Sequence, residues 1–253
     1  MLQKVDNIEV KYDYKYVSKR TLVFLHGFGG NLCNFASISN TFFNFGFSTL
    51  NINLTDYGFK HLPNSFTIYD YANVVYLLIK KLKIKECILI GHSFGGRISI
   101  ILSSMYNSEN IIKKLVLVDS AGLKKRFNFV TKLKIIKYKF YKFLYKKAIL
   151  TKEKLDSFGS DDYKSISDDF KPIFNNIVNE DLKFLLKNIN LQTLIIFGKK
   201  DKITPLYFGK VFNNNIKNSE LIVLNGAHFA YLENKQIFIN ILKNFIMKDM
   251  EKK

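Results

Sequence analysis

A chain of 253 residues with 47% aliphatic and aromatic side chains has enough apolar material to bury one α/β core, with or without an insertion, and belongs among globular proteins. The formal charge of +18 raises nucleic acid or anionic lipid as partners. Lys, Asn, Ile, Phe and Tyr are abundant throughout, however, while Trp is absent and Pro numbers 3, so the bias describes the whole chain and no nucleic-acid partner is expected. No stretch of about 18 uncharged apolar residues occurs, and residues 1–13 lack the apolar centre of a secretion signal. Cys33 and Cys87 have no partner spacing. The expectation is a cytoplasmic chain with neither disulfide, metal nor cofactor.

In chain order, residues 3–17 alternate polar and apolar around Asp6-Asn7, which predicts an antiparallel hairpin at a sheet edge. Residues 21–25 form a short apolar run, read as a buried strand. The run ends in His26-Gly27-Phe28-Gly29-Gly30, followed by a helical pattern over 32–45. This glycine loop lacks the spacing of a dinucleotide or phosphate cradle, which leaves an oxyanion hole built from backbone N–H groups as its chemical use. Residues 48–54 read as a strand and Asp56-Tyr57-Gly58 as its loop. Residues 66–82 read as an amphipathic helix, with Thr67 as cap and Asp70 three positions on.

The next strand, from Glu86 through Ile90, runs into Gly91-His92-Ser93-Phe94-Gly95-Gly96 and then a helical pattern over 98–106. Gly-x-Ser-x-Gly between a strand and a helix is the setting of a nucleophile elbow, with Ser93 at the tip and glycines where strand and helix close on each other. Residues 114–118 give another strand, ending at Asp119-Ser120-Ala121-Gly122. Alternating strands and helices imply a parallel sheet covered on both faces, with functional loops at the carboxyl ends of its strands.

From 123 to 190 no strand-like run occurs; helical patterns span 127–150, 151–157 and 170–188. The expected organisation is therefore a core from 1–122 and 191–253 carrying a helical cap at 123–190. Strands resume at 193–198 and 221–224, and a helix over 235–247 closes the chain. Within the cap, residues 124–147 interleave ten Lys and Arg with apolar residues and contain no acid. Such a stretch suits either a lid whose lysines face water or a peripheral contact with an anionic membrane.

A serine hydroxyl needs a base and the base a carboxylate. His228, in the loop after strand 221–224, suits the base. Asp201, in Gly198-Lys199-Lys200-Asp201-Lys202-Ile203-Thr204-Pro205, sits between a strand and a helix whose first turn holds Pro205 and suits the acid; Asp119 is the rival. His26 and His92 read as braces of the two glycine loops, and with Gly27 and Phe229 they are candidate pocket residues.

Taken together, His26-Gly27-Phe28-Gly29-Gly30, Gly91 to Gly96, the Gly198 to Pro205 stretch and Gly226-Ala227-His228 resemble the α/β-hydrolase superfamily, in its order and strand positions. The resemblance implies Ser93 as nucleophile, Asp201 as acid, His228 as base, and the backbone N–H groups of Phe28 and Phe94 as the oxyanion hole. It is similar to small bacterial hydrolases with helical caps, near the esterases and the carbon-carbon bond hydrolases. It differs from many relatives in having Thr55-Asp56-Tyr57-Gly58-Phe59 in place of a Pro-Gly-x-Gly loop. Three readings follow: hydrolysis of an ester or thioester of a small apolar acyl substrate; carbon-carbon cleavage of a diketone-like substrate, with Arg97 as a possible carboxylate partner; or a non-catalytic ligand-binding or membrane-surface protein on the same fold.

Overall fold

The computed structural model describes residues 1–6, 8–54, 62, 65–124, 137, 138, 140, 141, 143, 145 and 171–248. The loop at 56–58, His61, most of the basic stretch 124–147 and the helical patterns at 151–157 lie outside the described residues.

Eight strands form one sheet: β1 (Leu2–Val5), β2 (Ile8–Lys15), β3 (Arg20–Leu25), β4 (Ser48–Ile52), β5 (Glu86–His92), β6 (Ile112–Val118), β7 (Gln192–Gly198) and β8 (Ser219–Leu224). Their order is β1-β2-β4-β3-β5-β6-β7-β8. The first two make the expected hairpin, Val5 opposite Ile8, and β2 joins β4 antiparallel; all other pairs are parallel.

Period-two alternation in the central strands separates two apolar layers. Leu22 and Phe24, Ile88 and Ile90, Val116 and Val118, and Leu194 and Ile196 face helices α1 (Cys33–Asn44) and α7 (Lys235–Met247). Their alternates Val23, Leu25, Leu89, Leu115, Leu117, Ile195 and Phe197 face α2 (Ile68–Lys81), α3 (Phe94–Met105) and α5 (Tyr207–Asn215). Each fully buried aliphatic or aromatic side chain contributes about 1.5–3 kcal/mol relative to exposure. Central strands buried on both faces therefore anchor the loops at their carboxyl ends.

Helix α2 begins at Ile68, and Thr67 and Asp70 close a reciprocal capping box: the Thr67 N–H donates to Asp70 Oδ2 at 2.7 Å and the Asp70 N–H to Thr67 Oγ1 at 3.3 Å. Between β6 and β7 no strand is present among the described residues. The helix expected over 170–188 is two pieces, α4 (Lys171–Asn179) and a 3-10 turn (Lys183–Asn188). They part where Asp181 Oδ1 accepts the Lys183 N–H and the Leu182 N–H reaches the Gly122 carbonyl at 2.8 Å. Ile173, Ile177, Leu182, Leu185 and Leu186 are buried with the α2 and α3 layer. Two further boundaries differ from expectation. Helix α3 starts at Phe94, directly after Ser93, and α5 starts at Tyr207, beyond Pro205. A short helix, α6 (Ala230–Glu233), follows β8. Among the described residues no helix is long and apolar enough to cross a membrane.

Candidate active site

Ser93 joins β5 to α3 with φ 49° and ψ −109°, outside the ordinary regions for a residue with a Cβ. Such a conformation costs about 1–3 kcal/mol and persists only where its surroundings fix it. Here the Ser93 N–H donates to Val118 O at 3.1 Å, and the Ser93 carbonyl accepts the N–H groups of Gly96 (3.1 Å) and Ala121 (3.0 Å). The Gly95 N–H donates to His26 O at 3.1 Å, drawing α3 against the end of β3; a Cβ on Gly95 would fall onto the Leu25 carbonyl. Glycine is required there by close approach.

The glycine loop after β3 lies against this elbow, since a Cβ on Gly27 would come 3.3 Å from Ser93 Cβ. Its central peptide is held from one side: the Gly27 carbonyl accepts His26 Nδ1–H at 2.7 Å and the Gly30 N–H at 3.1 Å. The His26 tautomer follows from its other nitrogen, Nε2, which accepts the Leu54 N–H at 2.9 Å. Burial lowers the His26 pKa, so the ring stays neutral and keeps this arrangement. In a planar trans peptide the N–H points opposite to the carbonyl, so fixing Gly27 O also fixes the direction of the Phe28 N–H. Phe94, as the first residue of α3, has an N–H with no acceptor inside its own helix.

His228 is brought to this edge by His92, whose Nε2–H donates to the His228 carbonyl at 2.9 Å. Burial, then the neighbouring His228, pushes the His92 pKa down to about 3, so His92 is a neutral donor at ordinary pH. Its ring also packs against His228, Phe229 and Tyr231, with centroids 4.8, 5.2 and 5.0 Å away. His26 and His92 are thus buried braces, whereas Phe229 is 44% exposed. Ser93 and His228 each retain 8% exposure.

Asp201 meets His228: Nδ1–H donates to Oδ2 at 2.8 Å, which leaves Nε2 as the basic nitrogen. Oδ1 accepts the N–H groups of Ile203 (2.7 Å) and Thr204 (3.0 Å), and the Thr204 hydroxyl donates to Oδ2 at 2.6 Å. Burial by itself raises the Asp201 pKa, but the bonds from His228 and Thr204 outweigh it and hold the carboxyl below its ordinary value. Thr204 is the site residue that sequence reasoning missed. Its signal was a hydroxyl three residues after an aspartate in a turn, a spacing at which the two side chains share one loop. Asp119, the rival acid, is fully buried with φ 40° and accepts the Gly198 N–H on Oδ1 at 2.6 Å, without bonding His228.

Aromatic rings pack around the elbow. Phe28 packs on Phe94 (6.0 Å) and on Phe174 of α4 (4.8 Å), and Tyr71 packs on Phe94 (5.1 Å). Arg97, 4% exposed, donates from its two terminal nitrogens to Glu180 O (2.8 Å) and Val178 O (3.2 Å), at the end of α4. A groove of about 480 Å³ lies elsewhere, between β8 and α7, lined by Glu220, Ile222 and Phe245, and shares no residue with this site.

A family model described as alpha/beta hydrolase fold matches residues 20–170, more than half of the chain. Among curated relatives, the uncharacterized hydrolase YugF of Bacillus subtilis (strain 168) is 27% identical over 269 residues, covering 96% of each chain. The pimeloyl-[acyl-carrier protein] methyl ester esterase of Wigglesworthia glossinidia brevipalpis is 31% identical, covering 90% of this chain and 93% of the relative. Among solved structures, an esterase from Exiguobacterium antarcticum superposes with a TM-score of 0.74 at 22% identity, over 97% of this chain and 98% of that one. The enol-lactonase from Burkholderia xenovorans LB400 gives 0.74 at 16% identity, over 97% and 99%.

Proposed function

This chain belongs to the α/β-hydrolase family and is a hydrolase, and from that premise we propose that it is a serine esterase acting on a small carboxylic ester through Ser93, His228 and Asp201. The observation that carries the reading is the Asp201–His228 hydrogen bond at 2.8 Å beside the elbow, with His92 tying His228 to the end of β5, one residue before Ser93.

In this reading Ser93 Oγ attacks the ester carbonyl while His228 Nε2 takes its proton. Asp201 holds the imidazole in the Nδ1–H tautomer and offsets the charge that forms on it. Negative charge on the carbonyl oxygen is met by the N–H groups of Phe28 and Phe94, the first aimed by His26 and the second at a helix N-terminus. His228 then protonates the departing alkoxide. Water, deprotonated by the same nitrogen, releases the acyl group from Ser93. The strain at Ser93 keeps its hydroxyl above the sheet throughout.

The substrate reading rests on two supports. The relative from Wigglesworthia is named for an ester substrate, and the rings of Phe28, Phe94 and Phe174 offer an apolar wall suited to an acyl chain. Residues 123–190 serve in this proposal as a cap over the strand ends. Arg97 spends its two terminal nitrogens on backbone carbonyls, so the geometry lends no support to a carboxylate-binding, carbon-carbon cleaving site. The test is labelling with a fluorophosphonate, followed by a panel of p-nitrophenyl esters. The expected result is a single adduct on Ser93 and a loss of about 10⁴-fold or more in kcat for Ser93→Ala. Turnover by Ser93→Ala at the wild-type rate would refute it.

A further inference from the structure

Asp119 is a second carboxyl group buried beside Asp201, and the chemistry above leaves it without a task. Its main chain is held at both ends: the N–H donates to Ile196 O at 2.8 Å, and the carbonyl lies 2.8 Å from the oxygen of the Thr204 hydroxyl, whose one proton goes to Asp201. Its Oδ1 takes the Gly198 N–H, while Oδ2, wholly buried, has no hydrogen-bond donor among the described residues. The groups facing it are Asp201 after β7 and, from α6, Glu233 and Tyr231. The Tyr231 hydroxyl is itself buried and unbonded, so no donor reaches Oδ2 from that side.

Two carboxylates facing each other offer only acceptors, and in a buried site the second ionises only well above the ordinary carboxylate range. The donors decide which one keeps the charge. Asp201 receives two backbone N–H groups, a hydroxyl and an imidazole N–H; Asp119 receives one backbone N–H. Building on the triad reading, we propose that Asp119 is held as a neutral carboxylic acid whose Oδ2–H is donated to the Asp201 carboxylate, making it the positioning residue for the catalytic acid. The shared Thr204 hydroxyl, within reach of Asp119 O and Asp201 Oδ2, fixes the spacing between them. Burial, together with Asp201 and Glu233, raises the Asp119 pKa to about 8, so the proton remains in place at neutral pH. It stays on Asp119 through the whole reaction.

Asp119→Asn preserves both contacts, since its carbonyl accepts from Gly198 and its NH₂ donates to Asp201; Asp119→Leu removes both. The expected result is kcat within about 5-fold of wild type for Asp119→Asn. For Asp119→Leu it is a loss of roughly 10- to 100-fold with KM unchanged, the worth of one hydrogen bond to a charged group. Above about pH 8 the wild type should lose kcat as a second negative charge forms beside Asp201, and Asp119→Asn should not. Independently of activity, infrared spectra of protein carrying ¹³C-carboxyl aspartate should contain a protonated carboxylic-acid band at pH 7 that Asp119→Asn removes. The absence of that band, or an Asp119→Asn rate as low as that of Asp201→Asn, would overturn the proposal. Unchanged turnover by Ser93→Ala would instead strike the triad, and the infrared band would still report on Asp119.

Discussion

Replacing Arg97 with Met tests whether this side chain serves the scaffold or the substrate. Its guanidinium donates two charge-assisted hydrogen bonds to the carbonyls of Val178 and Glu180, just where α4 ends and carbonyls lose their helical donors. Each such bond contributes roughly 1.5–3 kcal/mol, against which stands the desolvation of a buried charge; burial also lowers the Arg97 pKa to about 10. Met keeps most of the volume and favours the helix, so the net loss should be about 3 kcal/mol, or roughly 10 °C in Tm for a domain of this size. Releasing the end of α4 loosens the helix whose first turn carries Phe174, which packs on Phe28 at 4.8 Å, so KM for an apolar ester should rise several-fold while kcat changes little. Differential scanning calorimetry and steady-state kinetics on esters with and without a terminal carboxylate provide the readout. An unchanged Tm combined with selective loss of carboxylate-bearing substrates would show that Arg97 binds substrate and that the packing argument is wrong.

Gly95→Ala should cost about 2–4 kcal/mol and disable the elbow, because its Cβ lands on the Leu25 carbonyl where main chain must move; a wild-type chemical denaturation midpoint would refute this. Stability should also carry a signature of Asp119. Its pKa is raised on folding, from 3.8 to about 8, so the folded state holds a proton that the unfolded chain releases. The contribution is fully present below about pH 4 and is lost as pH rises toward 8, by at most several kcal/mol. Asp201 has the opposite sign: held low in the fold, it contributes above its unfolded pKa and is lost in acid. The Tm advantage of Asp119→Asn over wild type should therefore widen from pH 4 to 8 and then level off, and a constant difference across that range would contradict the assignment.

The parts of this structure that were legible in the sequence are those set by local chemistry. Short continuous apolar runs marked the buried strands, and Thr67 with Asp70 announced α2. Gly91 and Gly95 flanking a serine marked the elbow because no other residue fits both approaches. The start of α3 was read four residues late for the same reason: Gly95 and Gly96 are poor helix formers, and the helix begins there because Leu25 of β3 packs against Gly95 and Ser120 after β6 against Gly96. The break between α4 and the following 3-10 turn depends on Gly122 O, sixty residues earlier than Leu182, and no local pattern reveals that bond. Thr204 and Asp119 were visible as residues but not as neighbours, since the contact joins the loop after β6 to the one after β7. Which of Asp119 and Asp201 bonds His228 is a long-range matter of loop packing, and no local pattern reveals that it is Asp201.

The hydrogen bond from His92 to His228 spans 136 residues, and its length along the chain has a consequence for synthesis. During translation the strained serine and its glycine turn emerge well before the imidazole, which follows α5 and β8. In the proposed reading, a nascent polypeptide halted before β8 would hold Ser93 without the histidine that activates it. In the serine esterase reading, reactivity toward esters is switched on only once the loop after β8 has arrived.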